Sequence, residues 1–315
     1  MVRRALDAIL DAQDQDGQWR DFEIPEVGVS DAWVTAHVGL KLRSMPEQWQ
    51  DVRVRRALSK AVDGLQLDAK TAWSYSDRSP ADTDSTAHVV LFLNKMGRTP
   101  PDESLRFLLD RQQPDGGFAT FLPRLGMSQG HSWTTSHPDV TAVVVQALWP
   151  FSIAAQVADS IRRARQYMTN VNNEEQRWPA FWWSLDWFTA AYWIEALKAM
   201  DGKLLRAEDV GVTPAARIRS DLDAGLLLQA LTSTGACPEA QLLVSRLAER
   251  QLGSGLWPTL PVLRVTRPHV SRPWLAPNGC PLYADRGVYS AATIGASIAR
   301  HISRGATDAA AADHR

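Results

Sequence analysis

The chain reads as an all-α protein, a single (α/α)6 barrel built from six helical hairpins, and three observations in its 315 residues predict this. Six segments open in the same way, the apolar runs behind them lack a polar face, and a Gln…Gly-x-aromatic signal recurs after amphipathic stretches. A repeat of this kind is the signature of stacked supersecondary units.

The six openings begin with Ser30-Asp31-Ala32-Trp33-Val34-Thr35-Ala36-His37 and Asp82-Thr83-Asp84-Ser85-Thr86-Ala87-His88, followed by Pro138-Asp139-Val140-Thr141-Ala142-Val143. Weaker copies are Trp187-Phe188-Thr189-Ala190-Ala191, Ser220-Asp221-Leu222-Asp223-Ala224-Gly225 and Tyr289-Ser290-Ala291-Ala292-Thr293. Asp, Ser and Pro ahead of an apolar run are helix-start signals, so each copy predicts a helix. A helix that is apolar all round is a buried helix, and these six form the inner layer.

The outer layer is expected from stretches charged on one face: residues 3–12, 53–65, 102–112, 155–168 and 240–251, with an indistinct segment at 203–217. After them come the loop signals, Gln13 to Trp19, Gln112 to Phe118 and Gln251 to Trp257 at one interval, and Gln66 to Trp73 one residue longer. The glycine-rich turn brings the aromatic ring back onto the glutamine amide at the helix end, a structural clamp. Six hairpins close a ring more simply than they build an open solenoid. The barrel is assigned to residues 1–304 and a small, polar, frayed tail to residues 305–315.

Composition narrows the function. The 34 basic and 35 acidic residues nearly cancel, which removes the field that nucleic acid or an anionic membrane would need. No stretch approaches the roughly 18 apolar residues of a membrane span. Two cysteines, Cys237 and Cys280, suit a reducing cytoplasm better than a disulfide scaffold. Tryptophan is the anomaly, at 13 against 5 tyrosines and 8 phenylalanines. Trp33, Trp133, Trp182, Trp183, Trp187, Phe188 and Tyr289 fall at or just before inner-helix starts, where a cavity lining belongs.

The Gln…Gly-x-aromatic clamps together with Asp82-Thr83-Asp84-Ser85-Thr86-Ala87 resemble the class II terpene cyclases, the squalene-hopene and diterpene cyclase superfamily, whose acid motif is Asp-x-Asp-Asp. The order that follows, Gln112 to Phe118, Pro138-Asp139-Val140-Thr141-Ala142, Trp178 and Gln251 to Trp257, extends the resemblance over most of the chain, as an acid-bearing domain alone. Ser85 departs from the motif's fourth Asp and resembles the relaxed motifs of drimane-type cyclases. Val143 stands where hopene-type cyclases carry a His beside the acid, which leaves His88, His131 or His137 to tune it.

The resemblance implies a Brønsted-acid cyclase that protonates an alkene or epoxide of an isoprenoid or related polyene and cyclises it through carbocations. Asp84 is the implied general acid, with Asp82 and Ser85 orienting it. Two neighbouring carboxyls in an apolar site titrate as a unit and favour a protonated acid. Aromatic faces are what a protein offers a cation. The substrate-binding set is therefore Trp33, Trp133, Trp182, Trp183, Trp187, Phe188, Tyr289, His88 and Asp139; Asp31 and Asp139 also read as helix caps, and His37 and His88 as core histidines.

No cofactor is required by such chemistry. A diphosphate substrate would call for Mg²⁺ and for Arg264, Arg267 or Arg272 in the long 258–286 loop, which has the character of a lid. The family's usual second barrel has no counterpart here, so the implied cavity is closed by long loops with a homo-oligomeric or other partner subunit, or takes a small substrate. Competing readings are a binding or partner barrel without catalysis, an (α/α)6 glycosidase with two carboxylates on an aromatic cleft, and a prenyltransferase-like zinc protein, of which Asn278-Gly279-Cys280 is a faint echo.

Overall fold

The structure, a computed structural model, describes residues 1–67, 70–123, 130–202, 218–234, 238–275 and 279–312. Six inner helices follow the six openings: α2 (Ala32–Ser44), α4 (Thr83–Lys95), α6 (Pro138–Leu148), α8 (Phe188–Asp201), α9 (Asp221–Thr234) and α11 (Val288–Ala312). Each packs on the next, and α11 packs back on α2, which closes the ring. Outside them lie α1 (Val2–Asp11), α3 (Val52–Gln66), α5 (Asp102–Leu109), α7 (Ala155–Glu175) and α10 (Pro238–Arg250). The indistinct outer segment at 203–217 and Cys237 lie outside the described residues.

The layers follow from residue spacing. In α1 the buried residues are Val2, Ala5, Leu6 and Ile9, three or four apart, so one face meets the core. In α4 every residue from Ser85 to Leu93 is buried, as an apolar run surrounded by other helices must be. Capping aspartates begin these helices: Asp82 accepts from the Ser85 amide at the head of α4, and Asp51 from the Arg53 and Val54 amides at the head of α3.

The clamps are held by hydrogen bonds, with partners beyond their own loop. Gln112 Nε2 donates to Gly116 O at 2.9 Å and to Ser160 O of α7 at 2.8 Å. Gln13 likewise reaches Ala57 O of α3, and Gln251 reaches Met1 O beside α1. The indoles of Trp19 and Trp257 turn back on their own outer helices, donating to Ile9 O and Leu247 O. The clamps at Gln13, Gln112 and Gln251 thus each tie one hairpin to the next. The turn glycines make this approach feasible: Gly116 and Gly255 sit at φ +94° and +89°, and a Cβ on either would collide with the backbone carbonyl of Arg163 or Arg4 in the following outer helix.

One expectation changes. Helix α11 runs to Ala312, through much of the segment expected to fray from residue 305, because Ala309-Ala310-Ala311-Ala312 is the strongest helix-forming composition. The described part of the 258–286 segment, expected to have the character of a lid, is hydrogen-bonded to the barrel. Within it β3 (Leu263–Arg264) pairs antiparallel with β4 (Leu282–Tyr283). The Arg264 amide donates to Trp182 O at 2.6 Å and the Ser184 amide to Val262 O at 2.9 Å. A second strand pair, β1 (Glu23–Ile24) with β2 (Gly28–Val29), stands at the same end of the barrel. No helix among the described residues is long and apolar enough to cross a membrane.

Candidate active site

The first turns of α4 and α6 bring three carboxyls together. Asp82, ahead of α4, is buried; its Oδ1 accepts from the Ser85 amide at 2.8 Å and its Oδ2 from Ser85 Oγ at 2.7 Å. Asp139 is buried in the first turn of α6 and accepts from the Val140 amide at 3.1 Å and the Trp182 amide at 2.8 Å. Burial pushes each of these carboxyls up to about 7, partly offset by the donors just named. Asp84 differs in that its side chain keeps 18% of its exposure.

That exposure opens into a cavity of about 380 Å³, within the range of small-molecule sites. Its wall is aromatic: Trp33, Tyr75, Phe121, Trp133, Trp182 and Trp183. The two paired segments add Ile24, Val27, Leu263 and Val265, and the polar lining comprises Asp82, Asp84, Ser85, Thr120, Glu26, Ser79, Arg78 and Arg264. Asp84, Asp82, Ser85, Trp33, Trp133, Trp182 and Trp183 thus line one space.

The other expected site residues stand one layer back. Phe188 and Tyr289 stack on Trp183, with centroids at 4.4 and 5.4 Å. Trp187 gives its amide to Asp223, and Asp139 holds the Trp182 backbone. His88 is fully buried beneath Asp84. The reason is rotation, since successive helix side chains diverge by about 100° and only part of a helix start can face the axis. Tyr75, Phe121 and Arg78 were not anticipated. They lie in loops away from the six openings, and Tyr75 carries a retrievable signal, two residues beyond the clamp tryptophan Trp73.

No family model matches the sequence, and no curated protein matches it. Solved structures do. The type II terpene cyclase MstE from Scytonema, in its apo form, superposes with a TM-score of 0.78 at 23% identity, over 95% of this chain and 96% of that one. A variant of MstE in complex with geranylgeranyl dihydroxybenzoate, its substrate, gives 0.80 at 22%, with 95% and 96% covered. The ent-copalyl diphosphate synthase from Streptomyces platensis gives 0.62 at 18%, over 86% of this chain and 50% of that one. The fold is that of a class II terpene cyclase. An alpha-1,6-mannanase of Salegentibacter shares the architecture at a TM-score of 0.59 and 11% identity, with 95% and 97% covered.

In this terpene-cyclase-like barrel the departures from the family motif acquire a structural meaning. Ser85, in place of the fourth Asp, spends its hydroxyl on Asp82. Val143 is fully buried. Of His88, His131 and His137, it is His88 that reaches the Asp82-Thr83-Asp84 corner: its Nδ1 lies 3.0 Å from Asp84 O and 3.4 Å from Asp84 Oδ1. His131 caps the turn at Trp133, and His137 is engaged with Ser132 and Thr120.

The donor set does not fit Mg²⁺. Asp82 and Asp139 are committed to backbone amides, and no three His, Cys, Asp or Glu among the described residues are grouped to hold a metal. Arg264 lines the cavity but donates to Ala180 O and Phe181 O, both at 3.0 Å, while Arg272 pairs with Glu174 and Glu175. Asn278, of the zinc echo, lies outside the described residues; Cys280 is a free, half-buried cysteine.

Proposed function

We propose that this barrel is a Brønsted-acid cyclase of an isoprenoid or prenylated substrate. One observation carries the reading: of the three clustered carboxyls, Asp84 is the most exposed to an aromatic cavity, with Asp82 and Asp139 buried beside it. Substrate and product complexes of MstE, with geranylgeranyl dihydroxybenzoate and merosterolic acid A, support a prenylated aromatic or similar polyene as the ligand class.

Asp84 gives its proton to a terminal alkene carbon or an epoxide oxygen. The π electrons of the substrate's own double bonds close the rings, and the last cation loses a proton or captures water, so no external oxidant or reductant enters. Asp82, fixed by Ser85, sets the N-terminus of α4 from which Asp84 projects. His88 supports Asp84 from below. A carbonyl oxygen only accepts, so its Nδ1 carries the proton toward Asp84 O. The aromatic faces stabilise the cation at about 0.5–2 kcal/mol each, and their bulk excludes the water that would quench it early.

The test offers farnesyl and geranylgeranyl diphosphates, squalene and prenylated dihydroxybenzoates to the wild type and to Asp84→Asn. The expected result is a cyclised product from one of these, reduced at least about 10²-fold in the variant. Equal product from both proteins would remove Asp84 as the acid, and turnover of none by the wild type would leave a binding barrel as the better reading.

A further inference from the structure

Resting on the cyclase reading, we propose that Thr120 and His137 are positioning residues that fix the indole of Trp182 relative to Asp84, so that its face is presented to the positive charge that develops in the cavity. Neither residue belongs to the acid motif. The inference stands on a chain of hydrogen bonds whose direction is determined at every link.

Ser132 O lies 2.8 Å from His137 Nε2, and a carbonyl oxygen only accepts, so Nε2 carries the ring proton. His137 Nδ1 is then an acceptor, and the Thr120 hydroxyl at 2.7 Å donates to it. With its proton committed, Thr120 Oγ1 offers a lone pair to the Trp182 indole N–H at 2.8 Å. The order runs Trp182 to Thr120 to His137 to Ser132, and it holds only while His137 is neutral. Burial secures that by pushing His137 down to about 3, and its ring is pinned by stacking on Phe181 with centroids 3.7 Å apart.

Thr120 also joins this chain to the acid. Its carbonyl accepts from the Thr83 amide at 3.0 Å, while the Thr83 hydroxyl donates to the neighbouring Ala119 O at 2.6 Å, and Thr83 is the middle residue of the Asp82-Thr83-Asp84 corner. One residue therefore carries the corner on its carbonyl and the indole on its hydroxyl. The backbone of Trp182 is fixed separately by Asp139, through the 2.8 Å bond from its amide. An indole whose N–H donates to an oxygen that is itself a donor is oriented and more electron-rich at its face, which suits a cation and does nothing for a neutral chain.

The experiment compares the wild type with Thr120→Val, which keeps the shape and removes the hydroxyl, and Thr120→Ser, which restores it. Hydrogen exchange of the Trp182 indole N–H is followed by NMR, with the resonance assigned through Trp182→Phe. The expected result is a protected N–H in the wild type and Thr120→Ser, and exchange at least about tenfold faster in Thr120→Val. Binding of decyltrimethylammonium, a stable cation, is measured against decanol, its uncharged counterpart. Thr120→Val is expected to weaken the ammonium about three- to tenfold while decanol stays within about twofold, with recovery in Thr120→Ser.

An indole N–H that stays protected in Thr120→Val overturns the positioning role. Equal weakening of both probes, or a wild type that binds the ammonium no tighter than decanol, overturns the cation-facing role. Neither readout requires turnover, so a failure of the acid assignment is distinguishable from a failure here.

Discussion

Asp139 shows what burial asks of a single carboxyl. It has two amide donors, from Val140 and Trp182, and still burial pushes it from 3.8 up to about 7. Between those values the folded chain binds the Asp139 proton more tightly than the unfolded chain does. The stabilisation is therefore full below about pH 4 and is lost as the pH rises through about 7. Asparagine cannot ionise. The stability of Asp139→Asn relative to the wild type should accordingly improve from pH 5 to pH 8, by about 2–3 kcal/mol, measured by urea unfolding at the two pH values. Taking the difference between proteins removes the opposite slope of the buried histidines, His37 and His137, whose depressed values favour the fold as the pH rises. A difference independent of pH would mean that Asp139 titrates in its ordinary range when folded.

At the scale of elements, the helix starts were legible because their causes are local. An Asp ahead of an apolar run caps a helix wherever it stands, and Asp82 and Asp31 do so. The tryptophans of the cavity wall were legible for the same reason, since Trp33, Trp182 and Trp183 adjoin those starts. Illegible were the pairings across hairpins: the strand contact of Trp183 with Leu263, the seat of Thr120 between Thr83 and Trp182, and the destination of the clamp amides. Each depends on a partner many residues away, which spacing does not encode. The clamp partners carry a prediction. Gln112→Leu leaves Gly116 O and Ser160 O without the amide that joins them, and should destabilise the chain by about 1–3 kcal/mol in chemical denaturation. Gln113→Leu loses one local bond, to Arg111 O at 3.2 Å, and should cost less than half as much. Equal losses would reduce the clamp to generic loop packing.

At the scale of the whole molecule, closure separates this barrel from an open array of the same hairpins. In an open array each unit touches its neighbours only, and damage at one end stays there. Here α11 packs on α2, Gln251 bonds Met1 O, and Gly255 sits against the carbonyl of Arg4, so the last hairpin is stapled to the first. The cavity depends on that seam, because its wall draws on Ile24 and Trp33 from one side and on Leu263 and Val265 from the other. Gly255→Ala places a Cβ into the Arg4 carbonyl at φ +89°, a conflict of about 2 kcal/mol or more. Gly253→Ala, two residues away, meets nothing within 4 Å and serves as the control. In hydrogen exchange, a closed ring predicts that Gly255→Ala loosens α1 and α10 together and that Gly253→Ala loosens neither. Faster exchange confined to α10 and its loop, with α1 protected as in the wild type, would mean that the seam carries no stability and that the first hairpin stands without the last.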